Sequence, residues 1–418
     1  MKREDVEIMA PVGSYESLMA AIQAGTDSVY FGIGQLNMRS KSTNNFTADD
    51  LASISAICQE NKVKTYLTVN TIIYDKDIEE MKLVIDAANK NNITAIIASD
   101  MAAINYAKQI GVEVHISTQV NISNYEALKY YSQFADVMVM ARELNLDQVS
   151  YIVEKIEENQ LKGPSGKLIK VEMFVHGALC MAISGKCYLS LHEQNYSANR
   201  GTCLQTCRKA YTVTEKESGN QLEIDNEYIM SPKDLKTIHF INKILDAGVS
   251  VLKIEGRARS PEYVKTVISC YREAIDFYFD GTFSDEKIAV WDKQLKTVFN
   301  REFWDGYYLG QKLGEWSSKY GSIATKRKVY IGKVTNYFSK IGVAEVLIEA
   351  GVLKLNDKVL IIGSTTGVED LIVKELRVDL TSVEQAIQGE VCSIPINCLV
   401  RRSDKLYKLV DSNEIKQQ

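Results

Sequence analysis

The chain has 418 residues, 45% of them hydrophobic and 25% charged, long enough for a large core and two domains. A formal net charge of −5 argues against indiscriminate electrostatic binding to nucleic acid. No stretch reaches the roughly 18 uncharged apolar residues of a membrane helix, and MKREDVEIMAPVG lacks the apolar run of a leader peptide. The expectation is a cytoplasmic protein with reduced thiols and no membrane segment.

From the N-terminus, short runs rich in Val and Ile alternate with segments whose apolar residues recur three and four apart. VEIMAPVGS leads into YESLMAAIQAG, and SVYFGI leads, after an insertion, into DDLASISAICQENK. KTYLTVN precedes DIEEMKLVIDAANKNN, AIIASD precedes MAAINYAKQIG, EVHISTQV precedes NYEALKYYSQF, and VMVMAREL precedes LDQVSYIVEKIEEN. LIKVEMFVHG is a seventh strand; VSVLKIEG is an eighth, followed by the helix SPEYVKTVISCYREAIDFYF. Strand–helix alternation predicts a parallel sheet, and eight units predict a closed (β/α)8 TIM-type barrel over residues 1–285. An open doubly wound sheet is the alternative, and no G-x-G-x-x-G follows the first strand to favour it.

The seventh unit is interrupted. A cysteine-rich insertion, residues 177–230, separates the seventh strand from a segment read as the helix SPKDLKTIHFINKILDAG, and in a barrel it leaves from the C-terminal mouth. Residues 286–326 read as a helical and aromatic bridge, and 327–418 as a small C-terminal all-β barrel or sandwich of turn-linked strands. That last part has 13 Lys and Arg against 12 Asp and Glu, too balanced to mark a nucleic-acid binder by charge.

Four of the eight cysteines, Cys180, Cys187, Cys203 and Cys207, fall within 28 residues. Thiolates are soft ligands for zinc and iron, and spacing alone leaves structural zinc and an iron–sulfur cluster equally open, with inert packing a third reading. The surrounding Lys186, Arg200, Arg208 and Lys209 face Glu193 alone, which suits an anionic substrate or merely offsets thiolate charge. His176 ends the seventh strand, and Glu172, four residues earlier, is expected on the same face. Polar residues fall at the ends of other strands: Asn70, Asp100, Gln119, Asn121, Arg142, Glu143, Glu255 and Arg257. Asp100 reads equally well as a helix cap. Arg39, Arg142, Arg257 and Arg259 have the fork geometry that binds carboxylate or phosphate. A peptidase would need Ser184 or a cysteine beside His176, and neither G-x-S-x-G nor H-E-x-x-H is present.

The stretch EMFVHGALCMAISGKCYLS (172–190), with RGTCLQTCR (200–208), MSPKDL (230–235) and KIEGRARSPEYV (253–264), resembles the collagenase-like peptidases, peptidase family U32, over essentially the whole chain. The family name implies a peptidase. Its bacterial RNA- and quinone-modifying members imply instead an oxygen-sensitive 4Fe–4S cluster and O2-independent hydroxylation of tRNA wobble uridine, rRNA cytidine or the ubiquinone ring, with prephenate as oxygen source. On this chain the resemblance makes Cys180, Cys187, Cys203 and Cys207 the cluster ligands, with zinc as the alternative. The C-x3-C-R ending at Arg208 is similar to the RNA-modifying type, which implies 5-hydroxyuridine formation and tRNA as partner. The C-terminal domain is similar to translation-factor barrels and would help hold tRNA. The expected catalytic residues are His176, Glu172, Arg142, Glu255 and Arg257; those expected to bind substrate are Arg39, Asn70, Gln119 and Arg259. Alternatives are a collagenase-like peptidase, rRNA hydroxylation, or an accessory RNA-binding subunit.

Overall fold

Strands that are apolar on both faces need cover on both, and the chain supplies it by closing a parallel sheet inside a ring of helices. The computed structural model describes residues 1–40, 46–211, 230–311 and 314–413. In chain order the first strands are β1 (Glu7–Pro11), β2 (Ser28–Phe31), β3 (Lys64–Val69), β4 (Ala95–Ala98), β5 (Glu113–Ile116), β6 (Val137–Val139), β7 (Lys170–Gly177), β8 (Asp234–Lys236), β9 (Val251–Ile254) and β10 (Phe303–Trp304). From β1 to β7 each strand pairs in parallel with the next, and β9 pairs in parallel with both β7 and β1. The result is a closed eight-stranded TIM-type barrel. At the seam Lys253 lies opposite Met9 on one side and Phe174 on the other.

Around it pack α1 (Tyr15–Gln23), α2 (Asp50–Glu60), α3 (Ile78–Lys90), α4 (Met101–Gln109), α5 (Tyr125–Tyr131) and α6 (Leu146–Glu158). The short α7 (Leu189–Gln194) lies in the cysteine-rich insertion, and α8 (Ile241–Asp246), α9 (Pro261–Phe279) and α10 (Asp285–Leu295) complete the set. The starts are encoded locally: Ser14, Asp100, Asn124 and Asn145 each accept a first-turn backbone N–H at an N-cap. The main core fills the space between strands and helices, while Met9, Tyr30, Tyr66, Ile97 and Val251 pack inside the barrel. No helix among the described residues is long and apolar enough to cross a membrane.

One predicted element differs. The segment read as a helix from Ser231 starts as β8, antiparallel to the end of β7 and parallel to β10, and only Ile241–Asp246 is α-helical. The physical reason is the chain beyond α10: Asp234 N–H donates to Glu302 O at 3.0 Å, and the Asp234 carboxylate accepts from Arg301 N–H at 3.2 Å. Residues of the bridge, among them Trp291, Leu295, Trp304 and Tyr308, belong to the barrel's own core.

Beyond them ten strands run from β11 (Lys326–Phe338) to β20 (Lys405–Asp411). They make an antiparallel eight-stranded sheet and a separate two-stranded pair around a second core that includes Val334, Val346, Ile361 and Leu406. This all-β unit sits on α1, where Ala20 packs with Leu360, Ile362 and Val368 and the Gln23 amide donates to Thr366 O at 2.7 Å.

Candidate active site

At the C-terminal ends of the barrel strands lies a cavity of about 170 Å³, roofed by the cysteine-rich insertion. Two features seat that roof. Gly177 has φ of 105°, and a Cβ there would stand 2.4 Å from Glu255 O, so only glycine lets the insertion leave across the end of β9. Arg208 is buried, and its guanidinium donates to Leu179 O at 2.6 Å and Ser231 Oγ at 3.0 Å, as well as to Pro232 O. It clasps the two ends of the insertion together. Nearer the middle, Arg200 donates to Asp77 and to Ile72 O, both at 2.6 Å, and stacks over Tyr74.

The cavity wall is strongly cationic. Six arginines and one lysine line it, against a single carboxylate, Glu255. Arg39 Nη2 donates to Glu255 Oε1 at 2.9 Å. Burial alone would raise the Glu255 pKa, but Arg39, Arg142 and Arg257 hold it down at about 2. The carboxylate is therefore ionised, and its field in turn raises the pKa of Arg39 against its burial. Arg257 is buried; its Nη1 donates to Thr68 Oγ1 at 2.9 Å and Asn37 Oδ1 at 3.1 Å, and burial lowers its pKa to about 10. Arg142 lies 3.9 Å from the Phe174 ring centroid and donates to Ala178 O at 3.1 Å. Arg259 stacks 3.5 Å over Phe299. Asn70, just past β3, and Gln119, in the turn after β5, form an amide pair, the Asn70 Nδ2 donating to Gln119 Oε1 at 3.4 Å and to Ser117 Oγ at 3.3 Å.

All four clustered cysteines face this cavity, and none is in a disulfide. Cys180 is exposed and the others are half-buried; burial pushes the Cys207 thiol up to about 11 despite the neighbouring Arg208. Four thiols fit a thiolate-held metal group in kind and number. As they stand, however, no three His, Cys, Asp or Glu side chains among the described residues are grouped tightly enough to hold a metal ion. Binding one requires the roof to draw the sulfurs inward.

The structure thus brings Arg39, Asn70, Gln119, Arg142, Glu255, Arg257 and Arg259 to the same cavity as the cysteines, and leaves two expected residues out. His176 and Glu172 do not share a face. A β-bulge between Phe174 and His176 reverses the alternation. His176 is buried against the rings of Tyr263, Tyr271 and Phe303, where burial first and Lys236 second lower its pKa to about 3. Glu172 points into the barrel below the cavity, its Oε1 accepting from Lys253 Nζ at 2.6 Å. Asp100 is the helix cap, accepting from Ala102 N–H at 2.9 Å, and Asn121 and Glu143 stay outside the cavity lining.

Lys253 and Arg301 were not among the residues the sequence singled out, and Arg208 stood out only as part of the basic strip and of the C-x3-C-R motif. A signal existed for Lys253: a lysine inside the buried strand VLKI, two residues before Glu255 and on its face. For Arg301 there was none, since its place follows from the return of the chain past α10.

The sequence profile of peptidase family U32 matches residues 13–318. The chain is 64% identical over 408 residues to a Porphyromonas gingivalis protein named "Collagenase", covering 98% of this chain and 99% of that one. It is 32% identical to "tRNA hydroxylation protein P1" of Bacillus subtilis, covering 79% and 77% respectively. It is also 32% identical to "23S rRNA 5-hydroxycytidine C2501 synthase" of Escherichia coli over 65% of this chain and 39% of that one. Matched over most of its length by that profile, the chain belongs to peptidase family U32.

Proposed function

We propose that the cavity is the active site of an iron–sulfur-dependent, O2-independent RNA hydroxylation protein that makes 5-hydroxyuridine at the tRNA wobble position, with prephenate as the oxygen source. The observation that carries this reading is the meeting of four free thiols and seven cationic side chains at one cavity. Relatives named for tRNA and rRNA hydroxylation support it. Cys180, Cys187, Cys203 and Cys207 would hold a 4Fe–4S cluster, which supplies one-electron redox chemistry when bound.

The chain's own groups have separate tasks. Arg39, Arg142, Arg257 and Arg259 offer planar donors to the carboxylates of a dianionic co-substrate. Glu255 fixes Arg39 by its ion pair and keeps the arginines from repelling one another. The Asn70 and Gln119 amides suit the donor and acceptor edge of a nucleobase turned into the cavity. The all-β unit beside the barrel would hold the body of the tRNA in the cytoplasm. The test is mass spectrometry of tRNA nucleosides from cells lacking the gene and complemented with wild type or Cys180→Ala. Loss of 5-hydroxyuridine-derived nucleosides, restored by wild type alone, is expected; an unchanged nucleoside profile on deletion overturns the reading.

A peptidase reading has one observation in its favour beyond the name of its relative: Ser184 lines the cavity. Its weakness is the base. All four histidines lie among the described residues, and none lines the cavity. Gelatin cleavage by highly purified protein, abolished by Ser184→Ala, would favour this reading over hydroxylation.

A further inference from the structure

We infer that Lys253, on the floor of the cavity, is the cation that seats a carboxylate of the small anionic co-substrate, with Glu172 as its positioning residue. This rests on the cavity being the active site. A charged side chain inside a barrel is expensive unless its partners use it fully. Lys253 is 4% exposed, placed by the register between Met9 and Phe174, yet it reaches the cavity lining.

Its ammonium carries three donors. Among the described residues one goes to Glu172 Oε1 at 2.6 Å, and the Nζ otherwise faces the Tyr30 and Phe174 rings, whose centroids are 4.8 and 5.5 Å away. Tyr30, Phe174 and Lys253 all line the cavity, so the ammonium lies beside aromatic faces at its wall. An oxyanion arriving there meets a desolvated cation with donors to offer.

The barrel contains a control. At its other end Glu7 is also buried, but both oxygens are used: Oε2 by Lys64 at 2.6 Å and Oε1 by Tyr66 at 2.7 Å. That pair is complete without a ligand, and Lys64 is half exposed to water. The Glu172–Lys253 pair is not complete, because among the described residues the Lys253 ammonium has one oxygen acceptor for its three donors. A pair kept only for stability is readily replaced by apolar residues of similar volume. A pair that is buried, unfinished and opens on a cationic cavity fits a subsite for an anion. The nearby guanidiniums each spend part of their donors within the protein, Arg39 Nη2 on Glu255, Arg142 Nη1 on Ala178 O and Arg257 Nη1 on Asn37 and Thr68, and Lys253 would add a further cation beneath them.

The test uses full-length protein prepared anaerobically, titrated with prephenate and, separately, with malonate as a plain dicarboxylate. Lys253→Met alone leaves Glu172 as an unpaired buried charge, so the decisive variant is Lys253→Met with Glu172→Gln. Expected is a loss of about tenfold to a hundredfold in affinity for the carboxylate probe, the range of one charge-assisted hydrogen bond. Iron content, melting temperature and tRNA affinity stay as in wild type, and Lys253→Arg recovers part of the loss. If malonate binding depends on Lys253 while prephenate does not bind at all, the proposed co-substrate is wrong and the subsite stands. The inference is overturned if the double variant binds the probes as wild type does, or if neither probe binds wild type at millimolar concentration.

Discussion

On the cavity floor Lys253, Glu255 and Arg257 follow one another along and just past the end of β9, held by Glu172 of β7, Arg39 of the loop after β2 and Thr68 of β3. The roof above them is a long insertion with one short helix and two single 3-10 turns before Tyr211, hung chiefly from Arg208 and Arg200. The floor is therefore set by folding of the barrel and needs no bound group to hold its charges in place. The roof brings four thiols to one space but stops short of a closed metal site. Binding energy from a metal group is what would complete it. On the proposed function, the floor would bind the anion and the roof would hold the cofactor, dividing recognition from redox chemistry.

Four substitutions sharpen or break that division. The largest effect is expected for Cys203→Ser in the roof: iron in anaerobically prepared protein should fall from about four per chain to less than one, and the tRNA product should vanish while the barrel keeps its circular dichroism. Next is Arg208→Ala, which removes a buried clasp on both ends of the insertion. Thermal unfolding should report a loss of about 3 kcal/mol, the scale of hydrogen bonds to a charged group, together with faster proteolysis between Ala178 and Tyr211.

His176→Phe probes the outer side of β7. With its pKa lowered to about 3 from the ordinary 6.5, His176 is neutral in the fold, while the unfolded chain takes up a proton as acid is added. Its contribution to stability is thus complete above about pH 6.5 and is lost as pH falls towards 3. The variant should show a shallower acid limb in urea midpoints measured against pH, with product levels within about twofold of wild type. A hundredfold drop in product would return His176 to the reaction. Smallest of all, Cys398→Ser should leave iron and product unchanged, since Cys398 packs against the core of the all-β unit and not in the roof.

The barrel was legible because its signal is local: the buried strands are short apolar runs such as AIIA, and helices such as α4 and α6 carry their own cap and apolar stripe. The cysteines were legible by density alone. What the sequence hid is what depends on distant chain segments. Period-two alternation puts Glu172 and His176 on one face, and the bulge after Phe174, fixed by pairing with β9, separates them. Asp234 reads as part of a helix until Arg301 and Glu302 return alongside it. Arg208 reads as one more surface cation in a basic strip, yet it is a clasp, because its acceptors are the backbones of Leu179 and Pro232 on either side of the insertion.

Closure of the roof's thiols on iron above the cationic floor is the part of the proposed function most open to a direct test. Iron X-ray absorption on the full chain, purified without oxygen, tests it most directly. Iron surrounded by sulfur with iron neighbours close by is expected, a signal that disappears in Cys203→Ser and persists in Cys398→Ser. Zinc in place of iron after anaerobic reconstitution, or an identical iron signal in Cys203→Ser, would contradict it.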